Sequence, residues 1–217
     1  MFFHKHPYEP YIKANTEKLI VGTLPPPRFT TGELIKQDVD FCYGSYYNSL
    51  WLYINKIHNL GLDFENTHRA IEQRKNFLIA NKIGVCDIVN SCERDKIDAS
   101  DLGMKNIQLR NLIDYLKQFP NVHTLLFTGG NSKNGPEYFF RKHLKEYNLK
   151  LEVISSDVPR IHQFVLDDRI IKTVSLTSPS GSANRAIGSM ELYKKMKNEK
   201  SKFTTLDFRV LQYINWF

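Results

Sequence analysis

The chain has 217 residues, of which 41% are hydrophobic and 24% charged, so it is long enough for one globular domain with a sizeable core. Lys and Arg (30) outnumber Asp and Glu (23), and the resulting charge of +7 favours a polyanionic partner without identifying it. The three cysteines lack the spacing of a disulfide framework or a metal site, which predicts a cytoplasmic protein that binds no metal and needs no cofactor. No apolar run approaches the length of a membrane span, so we expect no contact with a membrane.

The first half of the chain alternates strand and helix patterns. Residues 1–17 are polar, aromatic and irregular, and predict a loosely packed arm. Leu19–Gly22 is typical of a buried strand that ends at Gly and Pro. Apolar residues at helical spacing predict helices over Asn48–Leu60 and Asn66–Ala80, and Ile83–Val89 is then a second strand.

The second half continues the alternation. Helical spacing predicts a helix over Asn106–Phe119, followed by the strand Val122–Thr128 and a helix from Pro136 to Tyr147. Asp167-Asp168 indicates a hairpin turn into the strand Arg169–Leu176. We therefore expect a single α/β domain over residues 1–217. Its mainly parallel sheet would contain the strands Leu19–Gly22, Ile83–Val89, Leu125–Thr128 and Ile171–Leu176.

A loop of small hydroxyl residues, Leu176–Arg185, links the last predicted strand to a helical segment, Ala186–Lys195. Such a loop can direct backbone N–H groups and hydroxyls at a phosphate. The side chains that would contact it are Ser178, Ser180, Ser182, Asn184 and Arg185. The alternative is an ordinary serine-rich turn in which Asn184 or Ser182 caps the helix.

Four segments in this order resemble the uracil-DNA glycosylase superfamily. They are the strand and rigid loop Lys18–Pro27, the aromatic segment Phe41–Trp51, the segment Gly84–Arg94 with Ile97-Asp98-Ala99 after it, and the serine-rich loop. The third segment is similar to the signature of the hypoxanthine-DNA glycosylase branch. The resemblance extends from about Leu19 to Arg185.

This resemblance implies a three-layer α/β/α sandwich around a central four-stranded sheet. It also implies a monofunctional DNA glycosylase of base excision repair, acting as a monomer on DNA that contains a deaminated base, with hypoxanthine ahead of uracil or xanthine. Three cysteines cannot supply the four-cysteine iron–sulfur cluster of some branches. No lysine occupies a motif position from which it could form a Schiff base, so strand cleavage is not expected.

The resemblance also implies roles for individual residues. Gly22, Thr23 and Leu24 would contact the base, as would the ring of Tyr43 by stacking, with Phe41 as the alternative ring. Asn48 would act in catalysis by holding the base or water, and the alternative is a helix cap. Asn131 is a candidate for reading the base edge, and a tight turn is its alternative.

Several positions depart from the superfamily pattern. Leu24 cannot activate water, although the hypoxanthine branch also has an apolar residue there, and Thr177 and Gly181 replace a common His and a bulky wedge residue. Ser45-Tyr46-Tyr47 stands in place of His-Pro-Arg. The departures at Leu24, Thr177 and Gly181 support a competing hypothesis, a non-catalytic protein that binds damaged DNA or nucleotides. Asp87 ends a predicted strand, where it could hold a loop or polarise water.

Overall fold

A computed structural model describes the whole chain, residues 1–217. The strands are β1 (Phe2–Lys5), β2 (Lys18–Val21), β3 (Ile83–Val85), β4 (Val89–Arg94), β5 (Lys105–Leu109), β6 (Thr124–Phe127), β7 (Glu152–Ser155), β8 (Arg160–Leu166) and β9 (Arg169–Ser175). The α-helices are α1 (Pro27–Thr31), α2 (Leu50–His58), α3 (His68–Ala80), α4 (Leu112–Gln118), α5 (Pro136–Glu146), α6 (Asn184–Ser189), α7 (Glu191–Glu199) and α8 (Thr205–Tyr213). No helix is both long and apolar enough to cross a bilayer.

The main sheet has six strands in the order β3-β2-β6-β9-β8-β7. Its first four strands are parallel, which confirms a mixed α/β fold with a mainly parallel sheet. The expected number of four strands is wrong, because β8 and β7 extend the sheet as antiparallel strands. Both carry exposed side chains, so they lack the continuous apolar runs of buried parallel strands. The turn at Asp167-Asp168 has positive φ at both residues and closes the β8–β9 hairpin.

Alternate residues of the parallel strands face two separate hydrophobic clusters. Leu19 and Leu125 pack in one cluster with residues of α4 and α5, whereas Ile20 and Leu126 pack in the other with residues of α2 and α3. Because side chains alternate across a strand, helices cover both faces of the sheet. Because both faces of the sheet are covered, the loops that follow the parallel strands can meet only at the ends of these strands.

A second, three-stranded antiparallel sheet has the order β1-β4-β5 and corrects two expectations. Residues 1–17 are not a loosely packed arm, because β1 pairs with β4 and His4 is fully buried. The predicted strand Ile83–Val89 is divided, since β3 ends at Val85 and β4 begins at Val89. The predicted helix Asn106–Phe119 is wrong in its first half, where β5 pairs with β4 and only α4 is helical.

The three cysteine thiols, those of Cys42, Cys86 and Cys92, are free and buried. Burial raises the pKa of all three thiols, that of Cys86 to about 12. They are therefore protonated packing groups rather than nucleophiles.

Candidate functional site

A cavity of about 640 Å³ opens at the carboxyl ends of the parallel strands. The loop after β2 contributes Gly22–Pro26 to its wall, and the serine-rich loop after β9 contributes Ser178–Ser182 except Gly181. Parallel strands place their carboxyl ends at one edge of a sheet, so these distant loops meet there as expected. The volume lies within the usual range for pockets that hold small molecules or nucleobases.

The Asp87 carboxylate is the most heavily hydrogen-bonded group on the cavity wall. Its Oδ1 accepts from the backbone N–H of Gly22 at 2.7 Å and from the hydroxyl of Tyr43 at 2.7 Å. Its Oδ2 lies 3.0 Å from Nε2 of His6. Asp87 is 94% buried, and three donors therefore fix its carboxylate at the loop that leaves β3.

His6 is held in one tautomer by its second ring nitrogen. The backbone N–H of Tyr8 donates to Nδ1 of His6 at 3.1 Å, so Nδ1 carries no proton. The ring proton is therefore on Nε2, which donates to Asp87. His6 is 5% exposed and comes from the segment expected to be a loose arm, so no pattern in the sequence indicated that it reaches the cavity.

Gly22 and Tyr43 approach each other too closely for any other residue at position 22. A Cβ on Gly22 would overlap the Tyr43 hydroxyl and would lie 2.8 Å from Oδ1 of Asp87. Tyr43 itself has a φ of +59°, which turns its half-buried ring onto the cavity wall. Burial, reinforced by the Asp87 charge, raises the pKa of Tyr43 well above its usual value, so its hydroxyl remains a donor.

Asn48 lies directly before the N-cap of a helix and lines the cavity. Its Oδ1 accepts from the backbone N–H of Leu50 at 3.0 Å, at the beginning of α2. Its amide nitrogen makes no hydrogen bond within the chain, and the residue lies on the cavity wall. An antiparallel bridge pairs Asn48 with Ser180, so the aromatic loop and the serine-rich loop are joined at this point. Ser49 holds the N-cap position of α2, so Asn48 supports the start of this helix from the preceding residue, and its role in catalysis stays a prediction.

A second carboxyl group, Asp101, lines the same cavity. The hydroxyl of Thr23 donates to its Oδ1 at 2.9 Å. Burial raises the pKa of Asp101 to about 6, and the negative charge of Asp87 acts in the same direction. Asp101 lies in a polar loop without strand or helix periodicity, so no pattern in the sequence indicated that it reaches the cavity. Leu24 also lines the cavity, and its apolar side chain packs against the core.

Arg209 of α8 holds the serine-rich loop in place by hydrogen bonds. Its side chain is buried, with 3% of the residue exposed. Its guanidinium donates to the carbonyls of Ser178 at 3.0 Å and Ser180 at 3.1 Å, and to Oδ1 of Asn184 at 2.7 Å. No carboxylate pairs with Arg209, so a buried positive charge lies beneath this loop. Ser178, Ser180 and Ser182 line the cavity, whereas Asn184 and Arg185 do not.

Removing the hydrogen bonds of Arg209 to the serine-rich loop should destabilise the protein. For Arg209→Met we expect the free energy of unfolding to fall by about 2–4 kcal/mol, because three acceptors lose a charged donor at a buried site. Urea denaturation measures the loss. The matched control is Arg69→Met, since Arg69 forms a surface ion pair with Asp63 with its side chain 77% exposed, and it should change stability by less than about 1 kcal/mol. Equal stability of the two variants would show that Arg209 does not hold the loop.

Besides Arg185, three of the predicted contact residues lie off the cavity wall. Phe41 is 93% buried and packs against Tyr11 and Trp51 in the core, because the chain turns at Tyr43 and only that ring reaches the cavity. Asn131 is exposed after Gly129-Gly130 and does not line this cavity or the neighbouring one at Gly129-Gly130, which agrees with the turn alternative. The Oδ1 of Asn184 accepts a hydrogen bond from Arg209, so Asn184 helps to hold the serine-rich loop in place.

Other polar groups on the wall were not singled out from the sequence. Thr128 follows β6 and its hydroxyl lies 3.4 Å from that of Tyr43, and Tyr8 donates from its hydroxyl to Asp40 at 2.7 Å. No group of three or more His, Cys, Asp or Glu is arranged to hold a metal ion. No lysine lines the cavity.

Comparison with known proteins gives a similarity to a solved structure. No protein-family model matches the chain, and no curated protein sequence matches it. Among solved structures, the chain is similar to the solution NMR structure of a Methanosarcina acetivorans protein provisionally named a uracil DNA glycosylase. The match has a TM-score of 0.54 and 16% sequence identity, and it covers 95% of this chain and 98% of the other. At this identity the comparison shows that the two chains share a fold.

Proposed function

We propose that this protein is a monofunctional DNA glycosylase. It would hydrolyse the N-glycosidic bond of a deaminated base in DNA, with hypoxanthine ahead of uracil or xanthine. The observation that carries the proposal is the cavity at the strand ends, where two carboxyl groups, an amide donor and a tyrosine ring share one wall. The shared fold with the M. acetivorans protein agrees with it.

The cavity suits a nucleotide that has been flipped out of the DNA stack. An enzyme that breaks a bond to a base must take that base out of the duplex and hold it by stacking and hydrogen bonds. The ring of Tyr43 supplies a face for stacking, and the amide nitrogen of Asn48 supplies a donor for an acceptor on the base or for water. Gly22 and Thr23 lie on the same wall, beside Asp87 and Asp101 respectively.

Cleavage of an N-glycosidic bond builds positive charge on the sugar, as in glycoside hydrolysis. The buried Asp87 carboxylate, fixed by Gly22, Tyr43 and His6, would stabilise that charge without reorganising. Leu24 has no group that could activate water. We assign this role to Asp101, whose pKa of about 6 allows it to accept a proton near neutral pH. No lysine lines the cavity, so release of the base would leave the DNA strand intact.

The phosphates of the DNA would lie along the serine-rich loop. The buried charge of Arg209 beneath this loop favours an anion above it, and Ser178, Ser180 and Ser182 present hydroxyl groups there. Arg185 is exposed and makes no hydrogen bond or ion pair within the chain, so its guanidinium is available to a phosphate beside the cavity.

Changing Arg185 to Ala should weaken DNA binding equally for all sequences. One lost phosphate contact should lower the slope of log affinity against log salt concentration by roughly one unit. Fluorescence anisotropy of a labelled duplex over a salt series measures this slope. The control is Lys142→Ala on α5, which should leave the slope unchanged because Lys142 does not line the cavity. If the two variants behave alike, Arg185 does not contact the DNA.

One observation favours the competing function, a non-catalytic protein that binds damaged DNA. The backbone N–H and hydroxyl of Thr177 both donate to Oε1 of Gln212, at 2.6 and 3.0 Å, so Thr177 has no donor free for catalysis at the position of the superfamily's His. A labelled duplex with a single deaminated base distinguishes the two functions. Glycosylase action makes the strand sensitive to alkali at that base, and the assay run on a panel of bases identifies the substrate. Tight binding without alkali-sensitive sites would support the competing function.

A further inference from the structure

Two neighbouring tyrosine rings are exposed beside the cavity. Tyr46 is 59% exposed and Tyr47 is 67% exposed, and the only other exposed aromatic residues of the chain are Phe3 and Phe64. Tyr47 also lines the cavity wall. A single exposed ring is ordinary on a protein surface, so the meaning of this pair depends on what holds it and on what lies beside it.

The backbone that carries the two rings is fixed by the fully buried carboxylate of Asp38. Its Oδ1 accepts from the backbone N–H of Tyr46 at 2.9 Å, and its two oxygens accept from Arg28 at 2.7 and 2.8 Å. Arg28 also donates to the hydroxyl of Ser45 at 2.9 Å, which accepts from the backbone N–H of Tyr47 at 3.3 Å. The two rings therefore extend into solvent from a fixed backbone.

A positive charge lies against one of these rings. The guanidinium of Arg28 is 5.6 Å from the centroid of the Tyr47 ring. The rings of Tyr46 and Tyr47 meet edge to face, with their centroids 5.2 Å apart and their planes at 75°. Exposed aromatic rings beside a cation are the surface on which single-stranded nucleic acid binds, because every base has a π-face and the strand is an anion.

The aromatic pair also lies next to the serine-rich loop, on which the phosphates of the DNA would lie. Asn48 forms an antiparallel bridge with Ser180, and the backbone N–H of Ser49 donates to the carbonyl of Pro179 at 3.0 Å. Tyr47 is therefore one residue from the junction of the two loops. A strand that leaves the cavity along the serine-rich loop brings a neighbouring base within reach of the rings.

We propose that Tyr46 and Tyr47 form a stacking site for the unpaired base of a nucleotide next to the target nucleotide. This inference rests on the proposed function, which supplies the DNA strand and its course across the cavity. The site accepts any of the four bases, because stacking does not read the base edge. It binds a base that is free of the duplex, since a paired base already has its faces stacked on its neighbours.

The test measures binding of a labelled single-stranded oligonucleotide that carries a stable abasic analogue at the target position, by fluorescence anisotropy. For Tyr47→Ala we expect the dissociation constant to rise about 5- to 100-fold, because one stacked base loses its platform. Tyr47→Trp keeps an aromatic face and should retain the affinity. The matched control is Phe64→Ala, because the ring of Phe64 is also exposed and lies 5.3 Å from an arginine, Arg74, but does not line the cavity. It should bind as the unchanged protein does.

Two further DNA probes isolate the contact. In the first, the nucleotides on both sides of the target also lack their bases, and the affinities of Tyr47→Ala and of the unchanged protein should then agree within about twofold. In the second, the complementary strand is annealed to the original oligonucleotide, and the difference should shrink in the same way. A difference that persists on either probe, or no loss of affinity for the original oligonucleotide, overturns the stacking site.

These binding measurements involve no bond cleavage, so their outcome is separate from that of the proposed function. The expected pattern in a protein that releases no deaminated base would keep the stacking site and contradict the glycosylase. Base release by the unchanged protein, together with unaltered binding by Tyr47→Ala, would keep the glycosylase and overturn the stacking site.

Discussion

Replacing Asn48 by alanine is expected to lower the single-turnover rate of base release about 10²–10³-fold, comparable to losing one oxyanion-hole donor. The reason is that its amide nitrogen is free at the cavity wall while its Oδ1 is fixed by Leu50. Asn48→Asp keeps an oxygen for the cap but removes the amide donor, so it should lose a similar factor. Quench-flow with a labelled duplex measures both rates.

A helix cap alone would give a different result. Loss of a cap costs about 1 kcal/mol of stability and should leave the rate of base release nearly intact. Thr67→Ala provides the matched control, because Thr67 caps α3 by accepting from the N–H of Ala70 at 3.2 Å, and neither residue lines the cavity. If Asn48→Ala loses stability like Thr67→Ala and keeps its rate, Asn48 is only a cap.

The second large effect is expected at Asp101. If its carboxylate accepts the proton of the attacking water, the rate should rise tenfold per pH unit below about pH 6 and level off above it, because only the deprotonated form is active. Asp101→Asn keeps an acceptor for the Thr23 hydroxyl but cannot take up the proton. We therefore expect a loss of about 10²-fold at pH 7.5 and a flat pH profile.

The control for this variant is Asp95→Asn, which changes the exposed ion pair between Asp95 and Lys105 in the same region. It should leave both the rate and the pH profile unchanged. A profile of Asp101→Asn that still rises through pH 6 would assign the titration to another group and would remove Asp101 from the proposed mechanism.

The parallel part of the sheet could be predicted because each strand is a short apolar run that ends in Gly, Pro or small polar residues. Strands with exposed or partly polar residues could not be predicted in this way. In β5 the spacing of Ile107 and Leu109 fits a helix with the following residues as well as it fits a strand. This segment is a strand because it pairs with β4, and no local sequence pattern predicts that pairing.

Some residues of the candidate site could be predicted from local sequence patterns, and others could not. Gly22, Thr23, Tyr43 and Asn48 lie on motif loops that follow predicted strands or begin predicted helices, and all line the cavity. His6 reaches it from a segment 81 residues from Asp87, without any local pattern. The side chain of Phe41 enters the core whereas that of Tyr43, a residue with positive φ, reaches the cavity. Such directions are decided by tertiary packing rather than by residue type.

The pairing of β1 with β4 determines which end modifications the protein should tolerate. Met1 is 85% exposed, whereas His4 and His6 behind it are buried. Deleting the first six residues would instead remove the proton donor to Oδ2 of Asp87 and would uncover the edge of β4. We therefore expect the chain without its first six residues to be less stable and more prone to aggregation than the full chain.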